Sequence, residues 1–104
     1  MPDPLAELIA ERFRLLAEPS RIRILDRLRD TELTVQQLTA ELDTSQQNVS
    51  KHLGLLLRGG IVAREKSGTF TRYRIADPGV FALCEHVCGG LGRQLDEMRA
   101  LLGE

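Results

Sequence analysis

The stretch SQQNVSKHL, residues 45–53, interleaves two chemistries. On a helix advancing about 100° per residue, Val49, Leu53 and Leu56 share one side and leave Gln47, Lys51, Gly54 and Arg58 on the other, flanked by Asn48 and Ser50. Glutamine and asparagine amides pair bidentately with an adenine edge, serine serves either type of base, and lysine and arginine suit guanine or phosphate. A glycine among them lets a helix approach a DNA backbone closely. The same face on an ordinary helix is only a solvated surface, so its neighbours have to decide between the two.

Two further groups have suitable chemistry. Arg64, Lys66, Arg72 and Arg74 face the single acid Glu65 within a short span, whereas the other acids gather near the N-terminus, around Asp26 to Glu41 and in the C-terminal segment. A net charge of −1 announces no polyanion partner, so this local cationic stretch is the relevant signal. Further on, CEHVC puts Cys84 and Cys88 four apart on one helix face, where two thiols can hold a thiophilic or transition metal ion or a metalloid, or meet an oxidant. His86 points elsewhere. Both cysteines also fall on a stripe repeating by three and four, Phe81, Cys84, Cys88, Leu91, Leu95, Met98 and Leu102, which reads equally as a seam of small buried hydrophobes. The chain has no glycine-rich phosphate loop, no paired carboxylates and no base within reach of either thiol, so an enzyme is not expected.

The elements that must position these groups follow from periodicity and punctuation. Leu5, Leu8, Ile9, Phe13 and Leu16 predict a first helix over residues 5–17, and Pro19 either stops it or starts the next. A second helix over 19–29 has Ile22, Leu25, Leu28 and Ile24 as its buried stripe. Thr34 with Gln37, and Thr44 with Gln47, both fit the T-x-x-Q capping box and predict two helix starts ten residues apart, one helix over 34–42 and the next running to Arg58, where Gly59 and Gly60 stop it. A short helix, a tight turn at DTS and a longer helix make a helix-turn-helix pattern. IVAREK and TFTRYRI around the two-residue SG predict a β-hairpin over 61–75, Tyr73 and Ile75 on one face, Arg72 and Arg74 on the other. A last helix runs from after Pro78 to about 102, although Gly89, Gly90 and Gly92 each weaken it by about 1 kcal/mol relative to alanine.

With 104 residues and no linker or repeat, the chain is expected to be one domain over 1–104, mainly α with a β-hairpin wing, in the order α1-α2-α3-α4-β1-β2-α5. No apolar run approaches a membrane span, no signal peptide opens the sequence, and two nearby cysteines make no disulfide framework. A cytoplasmic protein away from membranes is the expectation.

These residues resemble the ArsR/SmtB winged helix-turn-helix repressors. The likeness covers nearly the whole chain: LAEPSRIRILDRL is similar to the family's second helix, SQQNVSKHLGLLLRGGIV to its recognition helix, and GTFTRYRI to its wing. It implies a homodimeric regulator, released by an effector, that binds an inverted-repeat double-stranded DNA operator with its recognition helices in successive major grooves. By the resemblance Gln46, Gln47, Ser50 and His52 stand at DNA-contacting positions. Joined with the helix-face reading, the expected DNA-binding set is Gln46, Gln47, Asn48, Ser50, Lys51, His52, Arg58, Lys66, Arg72 and Arg74. Thr69 replaces the arginine frequent after the family's wing-tip glycine, and Arg72 or Lys66 is the expected substitute.

The family's well-known metal patterns are broken. The third helix, TVQQLTAEL, has no cysteine or histidine, and from Asp77 the last-helix pattern meets Gly79, Gly90 and Arg93 in place of ligands. Cys84 and Cys88 remain as the candidate effector site. The stripe through them, with Leu5 and Leu8 of the first helix, is the expected homodimer interface, since a second copy is the natural cover for an apolar stripe along a whole terminal helix. The alternative is a winged helix that binds DNA or protein without sensing, its cysteines structural.

Overall fold

A computed structural model describes residues 1–103. The elements follow in the expected order: α1 Asp3–Leu16, α2 Pro19–Arg27, α3 Val35–Leu42, α4 Gln46–Arg58, β1 Val62–Ser67, β2 Phe70–Ile75 and α5 Gly79–Leu101. The core is built where α2, α3 and α4 meet the start of the hairpin. Ile24, Leu25, Leu38, Val49, Leu53 and Leu56 are almost wholly removed from solvent, with Ile61 and Val62 beneath them. Ile22, expected in the stripe of α2, is instead 46% exposed. The packing arc of that helix centres on Ile24, Leu25 and Leu28, and Ile22 lies at or beyond its edge.

Local chemistry sets where each helix begins and ends. Pro19 starts α2 at a position that has no use for an N–H, and Glu18 caps it by accepting from the backbone N–H of Arg21 at 3.2 Å. The first capping box forms in full: Gln37 N–H donates to Thr34 Oγ1 at 3.2 Å, and Thr34 N–H donates to Gln37 Oε1 at 2.9 Å. The second is displaced by one residue. Ser45 caps α4 by accepting from Asn48 N–H at 3.0 Å, while Thr44 Oγ1 accepts from the Asn48 side-chain amide at 3.1 Å. Gln47 is thereby left out of the cap.

Between α3 and α4 the chain turns through Asp43 in the left-handed region, φ 50°, a conformation aspartate tolerates better than most residues. At the far end of α4, Gly60 has φ 74°, with Ile61 N–H donating to Leu56 O at 3.0 Å and Gly60 N–H to Leu57 O at 3.1 Å. This is the Schellman arrangement, and it turns the chain from α4 into the hairpin.

β1 and β2 pair antiparallel from Val62↔Ile75 to Ser67↔Phe70. The two turn residues are therefore Gly68 and Thr69, one later than the expected SG. Positive φ is needed only at the first turn position, and Gly68 takes it at 63°. Tyr73 also exchanges two backbone hydrogen bonds with Leu33, at 2.8 and 3.1 Å, a bridge that pins the hairpin beside the start of α3 and that no periodicity announced. No helix among the described residues is long and apolar enough to cross a membrane.

Candidate nucleic-acid interface

On α4 the core side is Val49, Leu53 and Leu56, and the solvent side carries Gln46, Gln47, Ser50, Lys51 and Arg58, all exposed. Asn48 is half-buried, and one N–H of its side-chain amide is used in the bond to Thr44, leaving the other N–H and the carbonyl oxygen for a ligand. Gly54 meets nothing of the core: a Cβ there would touch only Arg58 Nη1, at 3.6 Å. Protomer packing therefore does not require a glycine on this face, and the helix presents a shallow place between Lys51 and Arg58.

His52 departs from its expected place. It is only 6% exposed and lies against α2, its Nδ1 3.2 Å from Arg21 Nη1 and its Nε2 3.6 Å from Glu18 Oε2. The reason is angular, since a residue one turn before Leu56 and beside Leu53 falls on the flank of the core arc. Burial pushes its pKa below the ordinary histidine value; the Glu18 carboxylate opposes this, and Arg21 and Lys51 add to it. The DNA contact expected of His52 is therefore corrected: the ring packs against α2 and is not on the exposed face of α4.

The hairpin presents Arg72 and Arg74 outward while Tyr73 is buried. Arg74 Nη1 lies 3.8 Å from Glu65 Oε2, so part of its charge is answered within the wing. Among the described residues Arg72 and Lys66 have no acid within 4.0 Å. They are not equivalent: Lys66 pairs with Thr71 and Arg72 with Glu65, so the strand alternation sends them to opposite faces. Only Arg72 shares the face of Arg74 and can act with it.

The space between the hairpin and the start of α4 is lined mostly by residues absent from the expected set, Gln36 and Phe70 among them. Gln36 of α3 and Phe70 of β2 border an open cleft of about 240 Å³ together with Gln46, Thr69 and Thr71. Phe70 is 59% exposed. Its signal lay in the strand alternation, which puts an apolar ring on the face of Arg72 and Arg74.

At the other pole α1 and α5 leave a large apolar surface uncovered. Leu5, Leu8, Leu91, Leu95, Met98 and Leu102 are all exposed, as are Phe13 and Val87. Phe81 is partly withdrawn, with the Arg29 guanidinium carbon 4.4 Å above its ring. Cys84 is half-buried and Cys88 exposed, both as free thiols on this surface. Soft ions suit thiolates, but among the described residues no three His, Cys, Asp or Glu side chains come together to hold a metal.

Comparison with known proteins gives one consistent result. A helix-turn-helix domain family matches residues 16–65. The uncharacterised HTH-type transcriptional regulator Rv0081 of Mycobacterium tuberculosis is 37% identical over 96% of this chain and 89% of its own, and its crystal structure superposes with a TM-score of 0.81 over 91% and 96% of the two chains. The repressor SmtB of the same organism is 38% identical over 73% of this chain and 56% of its own. The solution structure of the homodimeric winged helix-turn-helix DNA-binding domain Mb0332 from Mycobacterium bovis, described as a possible ArsR-family transcriptional regulator, is 28% identical with a TM-score of 0.79, covering 91% of this chain and 88% of its own.

Proposed function

We propose, from the premise that this chain belongs to the ArsR/SmtB family of winged helix-turn-helix transcriptional regulators, that it acts as a cytoplasmic homodimeric repressor at an inverted-repeat operator. Residues 1–104 work as one domain, with α4 in the major groove, the hairpin on the flanking backbone, and α1 and α5 joining two copies. The observation that carries this reading is the division of α4 into a core face and an exposed face of amides, a hydroxyl and two cations. Gln46, Gln47, Ser50 and the free part of the Asn48 amide read base edges; Lys51, Arg58, Arg72 and Arg74 meet phosphates. Lys66, on the other face of the wing, contributes charge only at longer range.

Dimerisation is supported by the uncovered apolar surface of α1 and α5 and by the homodimeric neighbour. The effector reading rests on position. Cys84 and Cys88 share a helix face on that same surface, so a second copy brings a second pair of thiols toward a common axis. Those four sulfurs are the residues that would hold a thiophilic or transition metal ion or a metalloid. A direct bond between Cys84 and Cys88 fits less well, because a helix must distort to close it. An effector that favours a dimer geometry unsuited to DNA lowers operator affinity, and by linkage DNA weakens the effector equally.

A gel shift with the chain's own promoter fragment against a scrambled duplex, across a salt series, tests the DNA reading. Sequence-preferring, salt-sensitive retardation is expected. Absent binding on both duplexes would leave a winged helix used for protein contacts, and equal binding a DNA binder without sequence preference.

A further inference from the structure

The end of α1 and the middle of α4 meet through one side chain. Arg21, half-buried in the first turn of α2, donates through Nε to the carbonyl oxygen of Leu15 at 2.6 Å and through Nη2 to that of Arg14 at 3.5 Å. Its Nη1 is 3.2 Å from His52 Nδ1. Glu18 completes the group, capping α2 through the Arg21 N–H while Oε2 stays 3.6 Å from His52 Nε2. Leu15 makes a second junction, its methyl filling the space a Cβ on Gly59 would need at the C-terminal cap of α4.

The carbonyl of Leu15 is among the last four of α1, which no donor inside the helix can reach. A planar guanidinium with five donors can satisfy it and hold a ring nitrogen at the same time; an ammonium on a flexible stem is a single point of charge and cannot fix both directions. We propose that Arg21 is a positioning residue for DNA reading, locking the recognition helix to the end of α1 through His52 so that the set of α4 follows the arrangement of the two protomers. The proposal rests on the reading above that α1 is part of the dimer contact and that α4 reads DNA.

The lock has a defined proton state. Nδ1 faces a group that only donates, so it must be the acceptor, and the ring proton sits on Nε2 toward Glu18. The charged groups around the ring are Glu18 and Arg21 of α2 and its cap, Lys51 of α4, and Arg23 of α2 with Asp43 of the α3–α4 turn across a shared cleft of about 210 Å³. A proton added at Nδ1 removes the acceptor and sets two cations face to face, which releases Arg21.

Arg21→Gln, Arg21→Lys and His52→Asn, the last placing an amide oxygen near the position of Nδ1, test this against the full-length wild type. Three measurements apply: binding to operator and to scrambled duplex between about pH 5 and 8, sedimentation, and NMR titration of the His52 ring. R21Q should remain dimeric and keep its affinity for scrambled DNA, yet lose about tenfold in operator preference, the scale of one lost polar interaction. Its His52 should titrate higher than in wild type, because the arginine charge no longer opposes protonation. R21K should recover part of the preference. Wild-type preference should fall as His52 protonates, and H52N should hold it flat. A purely structural arginine would instead lower thermal stability and weaken both duplexes alike.

An unchanged operator-to-scrambled ratio in folded R21Q overturns the proposal, as does an unmoved His52 titration. Should R21Q fail to fold, H52N decides, and a pH dependence equal to that of wild type overturns it. Wild-type protein that binds neither duplex overturns the DNA reading itself, and the inference with it.

Discussion

Gln47 and Arg72 are both polar and exposed, but their surroundings assign them different work. Gln47 is free of the cap and stands on the exposed face of α4 proposed to read DNA, so Gln47→Ala should relax base preference at one position per half-site, by about 1–3 kcal/mol for each lost base contact. Arg72 stands opposite Glu65, which pairs with Arg74 instead and leaves it no acid within 4.0 Å among the described residues, and Arg72→Ala should weaken all duplexes alike and reduce the salt slope by about one. Paired salt titrations on operator and scrambled DNA distinguish the two; R72A changing sequence preference while Q47A does not would invert the assignment. His52 belongs to a different category. Because its folded pKa lies below the ordinary value, the unfolded chain takes up the proton first as pH falls. The stability its neutral form contributes is complete above about pH 6.5 and is lost as pH drops toward the folded value. Urea midpoints across that window should fall for wild type and fall less for His52→Asn.

Among the elements, α3 and α4 depend on their caps more than on length. Thr34→Ala removes one arm of a reciprocal pair at a buried position and should cost about 1 kcal/mol in urea unfolding. Ser45→Ala should cost a similar amount and also weaken operator binding, since the end that frays carries Gln46 and Gln47. Gly60→Ala forces a side chain into the left-handed region at the junction of α4 and wing, with an expected cost of about 1 kcal/mol. A G60A midpoint equal to wild type would mean that the junction can be made another way. These starts and stops were largely legible, because caps act over three or four residues of contiguous chain. The one misplacement, Thr44 for Ser45, arose because two adjacent hydroxyls both fit the pattern and only the packed turn selects between them.

For the molecule as a whole, the uncovered apolar side of α1 and α5 is the feature that a single chain leaves unsatisfied. Leu95 is 52% exposed in the single chain, so Leu95→Glu adds a charge that a lone protomer leaves in water but a dimer must bury. A folded monomer is the expected product, by sedimentation and circular dichroism; an L95E dimer of unchanged mass would place the interface elsewhere. The double substitution Cys84→Ser with Cys88→Ser should leave dimerisation and operator binding intact and abolish release by whichever of arsenite, cadmium, copper(I), nickel or peroxide acts on wild type. Unchanged release would return both thiols to a packing role.

What the sequence determined alone was whatever depends on near neighbours in the chain: seven elements in order, the amide-rich face of SQQNVSKHL, the cationic strand and the three-and-four stripe ending at Leu102. A helix repeat assigns sides without knowing what lies against them. Tertiary structure decided the matters that depend on what does. It turned His52 inward onto Arg21, drew Asn48 into a cap, left Ile22 outside the core and sent Lys66 and Arg72 to opposite faces of the wing. Each outcome follows from a partner distant in sequence or from a register shifted by one residue, and periodicity within one segment contains no term for either.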